Sequence, residues 1–184
     1  MKDMTDITRV RSREQIVDVV NLAGEIWTEH YVSIVGRAQV DYMLGKFQSA
    51  GAIEAQLSDG YEYYIVSHEG KSEGYMAIVP DADTGTAMLS KIYVRQSARG
   101  HGFGRAMLEF AEAVCRERRI GLLWLTINKH NSHSLAWYMR QGFERAGSIV
   151  QDIGGGFVMD DYRMEKTIGQ SGKGGFLSCP PHTA

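Results

Sequence analysis

Apolar residues recur at two periods along this chain, and the change of period divides it. Ile16, Val19, Val20, Ala23, Ile26 and Trp27 fall at helical spacing and define one buried face. Ser12 with Gln15 three residues later is a capping-box pattern that opens this helix. Gly36 interrupts it. Val40, Met43, Leu44 and Phe47 then mark a second helix from about Arg37 to Gln48. A short third helix, with Ile53 and Leu57, ends at Asp59-Gly60. Ahead of all three, Thr5 to Val10 reads as a short strand.

From Tyr61 onward the texture is aromatic and β-branched. Tyr61 to His68 and Glu73 to Val79 predict a hairpin turning at Glu69-Gly70-Lys71. Pro80 to Gly85 reads as a loop, and Thr86 to Val94 as a third strand. Phe103 to Arg119 is the clearest helix, with Phe103, Ala106, Met107, Phe110 and Val114 on one face. Leu122 to Ile127 is a short continuous apolar run. It predicts a strand buried on both faces and paired in parallel. Asn131 to Gln141 predicts a helix stopped by Gly142. Phe143 to Gln151 and Phe157 to Lys166 are two further strands, joined through Gly154-Gly155-Gly156. A flexible hairpin loop is the plainer reading of that glycine run, a substrate clamp the other. Helices alternating with strands indicate an α/β fold. One domain is expected over residues 1–168, with residues 169–184 a tail lacking a core of its own.

Composition narrows the function classes. The 184 residues are 43% hydrophobic and 23% charged, an ordinary globular balance. Twenty basic and 22 acidic side chains give a net charge of -2, which argues against a polyanion binder held by bulk charge, so no nucleic-acid partner is expected. The two cysteines, Cys115 and Cys179, form neither a zinc motif nor a disulfide framework. The first residues are polar, unlike a secretory signal, and no apolar run approaches the ~20 residues of a membrane span. A cytoplasmic protein with no membrane partner is the expectation.

Charge becomes informative locally. From Thr84 to Leu108 there is no Asp or Glu, while Lys91, Arg95, Arg99 and Arg105 all fall there. Inside this stretch Gly100, Gly102 and Gly104 lie between a strand and the start of a helix. Free N–H groups at a helix N-terminus bind phosphate, and glycines let the ligand come close. The dinucleotide fingerprint fails, because its sixth position here is Arg105. The P-loop fails for want of a terminal Gly-Lys-Ser/Thr.

Arg99-x-x-Gly102-x-Gly104 after Ile92-Tyr93-Val94 resembles the acetyl-CoA loop of the GCN5-related N-acetyltransferases. Asn131-x-x-Ser134-x-x-x-Tyr138-x-x-x-Gly142-Phe143 resembles the same family's second signature. The overall pattern is similar to bacterial small-molecule and polyamine acetyltransferases. The resemblance implies a mixed, mainly antiparallel sheet, helices on both faces, and a splayed strand pair that holds acetyl-CoA. It implies that backbone amides of Arg99, Gly100, His101, Gly102, Phe103, Gly104 and Arg105 hold the pyrophosphate. Ile92, Tyr93 and Val94 would meet the pantetheine arm, with Asn131 and Ser134 at the start of the next helix. A homodimer through the C-terminal strands is also implied.

The implied reaction is direct attack of a small-molecule amine, such as a polyamine, on the thioester. The ammonium must lose a proton, the carbonyl oxygen needs a hydrogen-bond donor, and the leaving thiolate needs a proton. Tyr138 suits the last task, since a phenol of pKa about 10 can protonate a thiolate without being ionised at rest. The plainer reading of Tyr138 is a core aromatic. Many relatives carry a Glu base on the strand before the loop, but Met88, Leu89, Ser90 and Lys91 stand there instead. Glu25, Glu29, His30, Glu62 or a chain of waters are the alternatives. Trp27, Glu29, His30 and Tyr31 are candidate acceptor contacts. His130 and His133 lack further ligands for a metal, so none is expected. The competing functions are acetylation of a protein α-amine or lysine, which calls for a groove left open by Glu29 to Arg37, and a non-catalytic acyl-CoA sensor.

Overall fold

The structure is a computed structural model, and it describes residues 5–169. The chain order is β1 (Thr5–Arg9), α1 (Arg13–Val35), α2 (Arg37–Phe47), α3 (Ala50–Ser58), β2 (Glu62–His68), β3 (Lys71–Asp81), β4 (Thr86–Val94), α4 (Phe103–Glu117), β5 (Leu122–Asn128), α5 (Ser132–Arg140), β6 (Glu144–Gly154) and β7 (Phe157–Thr167). The expected α/β class and the expected elements are present. Cys179 and all but the first residue of the anticipated tail lie outside the described residues.

The seven strands form one sheet in the order β1-β2-β3-β4-β5-β7-β6. Every neighbouring pair is antiparallel except β4 with β5. Two cores lie on its two faces. On one face, Val19, Leu22, Ala23 and Ile26 of α1, Val40 of α2 and Ile53 of α3 pack on Tyr63, Ile65, Tyr75 and Ala77. On the other, Met107, Ala111 and Cys115 of α4 pack on Tyr64, Val66, Met76, Ile78, Leu123 and Leu125. Successive side chains of β2 and β3 thus feed opposite cores, as the strand period requires. No helix among the described residues is long and apolar enough to cross a membrane.

Three expectations change. The strand buried on both faces is not β5. Its burial alternates, with Leu123, Leu125 and Ile127 covered and the residues between them partly exposed. The doubly buried strands are β2 and β3. Second, β3 runs through Pro80 and Asp81 rather than ending before a loop. Its register with β2 stops at Ile78, so beyond that point one edge has no partner strand and the missing N–H of Pro80 costs little. Third, Leu22 replaces Val20 among the fully buried positions of α1.

Candidate active site

Strands β4 and β5 pair only from Thr86 to Met88 against Leu122 to Trp124. Beyond Met88 they have separated. The β4 edge from Leu89 to Val94 therefore presents backbone N–H and C=O groups with no partner strand on that side. A β-bulge contributes to the bend, because Ala77 pairs with Lys91 and Ile78 with Leu89, leaving Ser90 extra. The wedge is a cleft of about 480 Å³.

The glycine loop forms one end of this cleft. Gly100 and Gly102 have positive φ, 85° and 86°, and a Cβ on either would meet nothing within 4 Å. Gly102 is the N-cap of α4 and supplies no side-chain cap, so the first amides of the helix are left for a ligand. The four cations of the local island divide here. Arg95 is tied to Glu25 at 2.7 Å and does not line the cleft. Arg99 and Arg105 line it, as does Lys91, and no Asp or Glu is among the described lining residues. Arg99 Nε donates to the Val94 carbonyl at 3.3 Å, which holds its guanidinium beside the unpaired strand edge. An amide-rich, cationic, carboxylate-free end joined to an open strand edge fits a phosphate-bearing ligand with an extended amide arm.

The opposite wall comes from α5 and α1. Asn131 caps α5, its Oδ1 accepting the Ser134 N–H at 3.4 Å. Its Nδ2 lies 3.0 Å from His30 Nε2 on α1. The Tyr31 and Tyr93 hydroxyls stand 3.4 Å apart. Through these two contacts α1 reaches across to α5 and β4. Tyr138 lines the cleft between Trp137 and Phe143, with ring centroids at 5.0 and 5.5 Å. Burial, reinforced by Tyr31, pushes its phenol well above the usual range, so it is protonated at rest. The β6–β7 hairpin lies outside the cleft lining. Its tip rests on α2, where the Tyr42 hydroxyl donates to the Ile153 carbonyl at 2.7 Å and Lys46 Nζ donates to the same oxygen. A Cβ on Gly155 would stand 2.8 Å from the Tyr42 ring. The triple glycine is thus a docked tip.

The family model for acetyltransferases of the GNAT family matches residues 22–143, two thirds of the chain and the whole of the cleft described above. The chain belongs to the GNAT acetyltransferase family. It is similar to the 5-NmdU N-acetyltransferase of Pseudomonas phage PaMx11, 34% identical over 97 residues that make up 53% of this chain and 66% of that one. It is also similar to the streptothricin acetyltransferase of Streptomyces lavendulae, 30% identical over 94 residues, 51% of this chain and 50% of that one. The chain thus spans between half and just under two thirds of these curated relatives. Its fold is that of the PaiA N-acetyltransferase of Thermoplasma acidophilum, solved with coenzyme A. The TM-score is 0.71 at 18% identity, over 89% of this chain and 99% of that one.

Against this GNAT cleft, most residues named from the sequence come together. Ile92, Tyr93, Val94, Arg99, Gly100, Gly102, Phe103, Gly104, Arg105, Asn131, Ser134 and Tyr138 all line it, with His30 and Tyr31. Three do not. The His101 ring turns to a neighbouring pocket with His68, Lys71 and Glu73, near the Ala98 carbonyl at 3.3 Å. Trp27 is buried behind Tyr31 and Tyr93, at 5.6 and 5.5 Å between rings. Glu29 is exposed outside the lining. The structure adds Leu89, Ser90, Thr126, His133 and Trp137. The sequence had marked Leu89 and Ser90 only as a strand lacking a Glu base, and His133 only as the partner of His130 in a metal pair too short of ligands.

Proposed function

We propose that this chain transfers an acetyl group from acetyl-CoA to the primary amine of a small molecule. The observation that carries this is the β4–β5 wedge, with a phosphate-ready glycine loop at one end and Tyr138 in its wall. When bound, acetyl-CoA supplies the activated thioester. Gly102 to Arg105 and Arg99 would hold its phosphates, and the open edge of β4 its arm. A backbone N–H of that edge would meet the charge that develops on the carbonyl oxygen. Tyr138 gives its proton to the departing sulfur.

Direct attack by the amine suits the one thiol among the described residues. Cys115 is buried in the α4 core and burial pushes its thiol to about 11, so it is a poor nucleophile. The small-molecule reading is favoured over a polypeptide acceptor by coverage. The segment from Glu29 to Val35 is continuous helix, and His30 and Tyr31 bridge the cleft. A polyamine is not favoured within this class, because no carboxylate stands in the described lining to hold a polycation. The names of the matched relatives, one a streptothricin acetyltransferase, support a small amine.

A thiol-release assay with acetyl-CoA and a panel of primary amines tests this. Turnover with at least one small amine is expected. Tight acetyl-CoA binding with no release on any amine or peptide would identify a sensor instead.

A further inference from the structure

The acetyl-transfer reading leaves open which group removes the acceptor's proton. Three of the four side chains named from the sequence are placed elsewhere. Glu25 is bound to Arg95 at 2.7 Å, and Glu62 to Arg9 and Arg118 at 3.1 and 2.9 Å. Glu29 lies outside the lining. His30 lines the cleft, with its ring edge-on to Tyr31 at 4.8 Å.

The cap of α5 fixes the protonation of His30. Asn131 Oδ1 already accepts the Ser134 N–H, so the NH2 end of the amide is the one that faces His30. Two N–H groups cannot point at each other, so Nε2 carries its lone pair and the ring proton sits on Nδ1. The imidazole is therefore neutral, with its basic nitrogen directed across the cleft. The titratable and charged groups facing it are Tyr31 on α1, Arg99 on the glycine loop and His133 on α5. Burial disfavours the imidazolium most, then the Arg99 charge, and His133 adds to both.

Resting on the acetyl-transfer reading, we propose that His30 Nε2 is the general base of this enzyme, armed by the cofactor's phosphates in the same cleft. Arg99 lines the same cleft as His30, and a cation there disfavours the imidazolium. Phosphate anions seated there compensate that charge, so the imidazole becomes more basic when the donor is in place. The proton balance closes. An N–H bond of the ammonium breaks and its proton goes to His30 Nε2, displacing the Asn131 amide. The freed lone pair bonds the carbonyl carbon as the carbon–sulfur bond breaks. Tyr138 protonates the sulfur and its phenolate takes the surplus proton of the new amide nitrogen. The His30 imidazolium returns its proton to solvent once the phosphates leave Arg99.

Imidazole NMR on the full chain tests this, with the His30 signals assigned through His30→Gln and coenzyme A as the probe. The Nδ1–H tautomer is expected in the free protein, together with a rise of about half a unit or more in the His30 pKa at saturating coenzyme A. The acid limb of the kcat/KM profile should vanish in His30→Gln and His30→Asn, with turnover down about 10²-fold. It should persist in Tyr138→Phe. An unchanged His30 titration with coenzyme A bound, or an acid limb that survives both His30 variants, would overturn the proposal. Glycine-loop amides that do not respond to coenzyme A, or no turnover on any amine, would instead overturn the acetyl-transfer reading on which it rests.

Discussion

Gly74 on β3 lies so close to Tyr93 on β4 that a Cβ on it would overlap the Tyr93 carbonyl oxygen. The contact is backbone on backbone, so no side-chain rotation relieves it. Any larger residue must push β4 outward along the stretch that borders the cleft. Gly74→Ala should therefore cost about 1–3 kcal/mol of stability, an overpacking penalty. It should also weaken coenzyme A binding. Denaturant unfolding and calorimetric titration check the two effects. Stability lost with affinity intact would detach this contact from the cofactor strand.

Tyr138→Phe keeps the ring contacts with Trp137 and Phe143 and removes only the hydroxyl. Turnover should fall about 10²-fold, the scale of a lost general acid. The dissociation constant for coenzyme A should stay within about twofold. Equal turnover in the two proteins would return Tyr138 to the core.

Arg99 reaches the cleft without a carboxylate partner in its lining, whereas Arg105 is paired with Glu109 at 2.8 Å on an exposed surface. Arg99→Ala should raise the coenzyme A dissociation constant about 10- to 100-fold, the loss of one charge-assisted bond to phosphate. It should also flatten the salt dependence of binding. Arg105→Ala should do less. Affinities measured at two salt concentrations decide the order.

Lys91 predicts a pH dependence of stability. Its Nζ donates to Gln56 Oε1 at 2.9 Å and Ser90 Oγ at 3.1 Å, and lies over the rings of Tyr61 and Tyr63. Burial lowers its pKa from 10.5 to about 8. Between those values the unfolded chain holds the proton that the folded chain has lost. The unfolded state then binds more protons, so stability rises with pH from about 8 to about 10.5. The rise is at most about 3 kcal/mol. Unfolding curves across that range should show it in the native chain, and Lys91→Met should lack it.

The glycine loop was legible because its chemistry is local. Arg99, Gly102 and Gly104 sit within six residues, and backbone conformation at a helix start depends on near neighbours. The helix cap at Ser12, the helix beginning near Asn131 and the amphipathic face of α4 were readable for the same reason. The burial of β5 was misread because a run of apolar residues does not say which sheet position will receive it. Leu122 to Ile127 landed beside the splay, where one face opens to the cleft, and β2 and β3 took the covered interior instead.

By itself, then, the sequence determined which segments are helices and strands, where a glycine loop opens α4, and that Tyr138 follows Asn131 at a family spacing. Periodicity, capping and helix-end polarity are set within a few residues of chain. The tertiary structure alone decided that β4 and β5 part after Met88, that His30 meets Asn131 across 101 residues, and that Glu25 is spent on Arg95. Those outcomes depend on how the α1 face and the β4 bulge sit on a shared sheet. Such long-range packing leaves no trace in any local window, and here it selects His30 over the carboxylates.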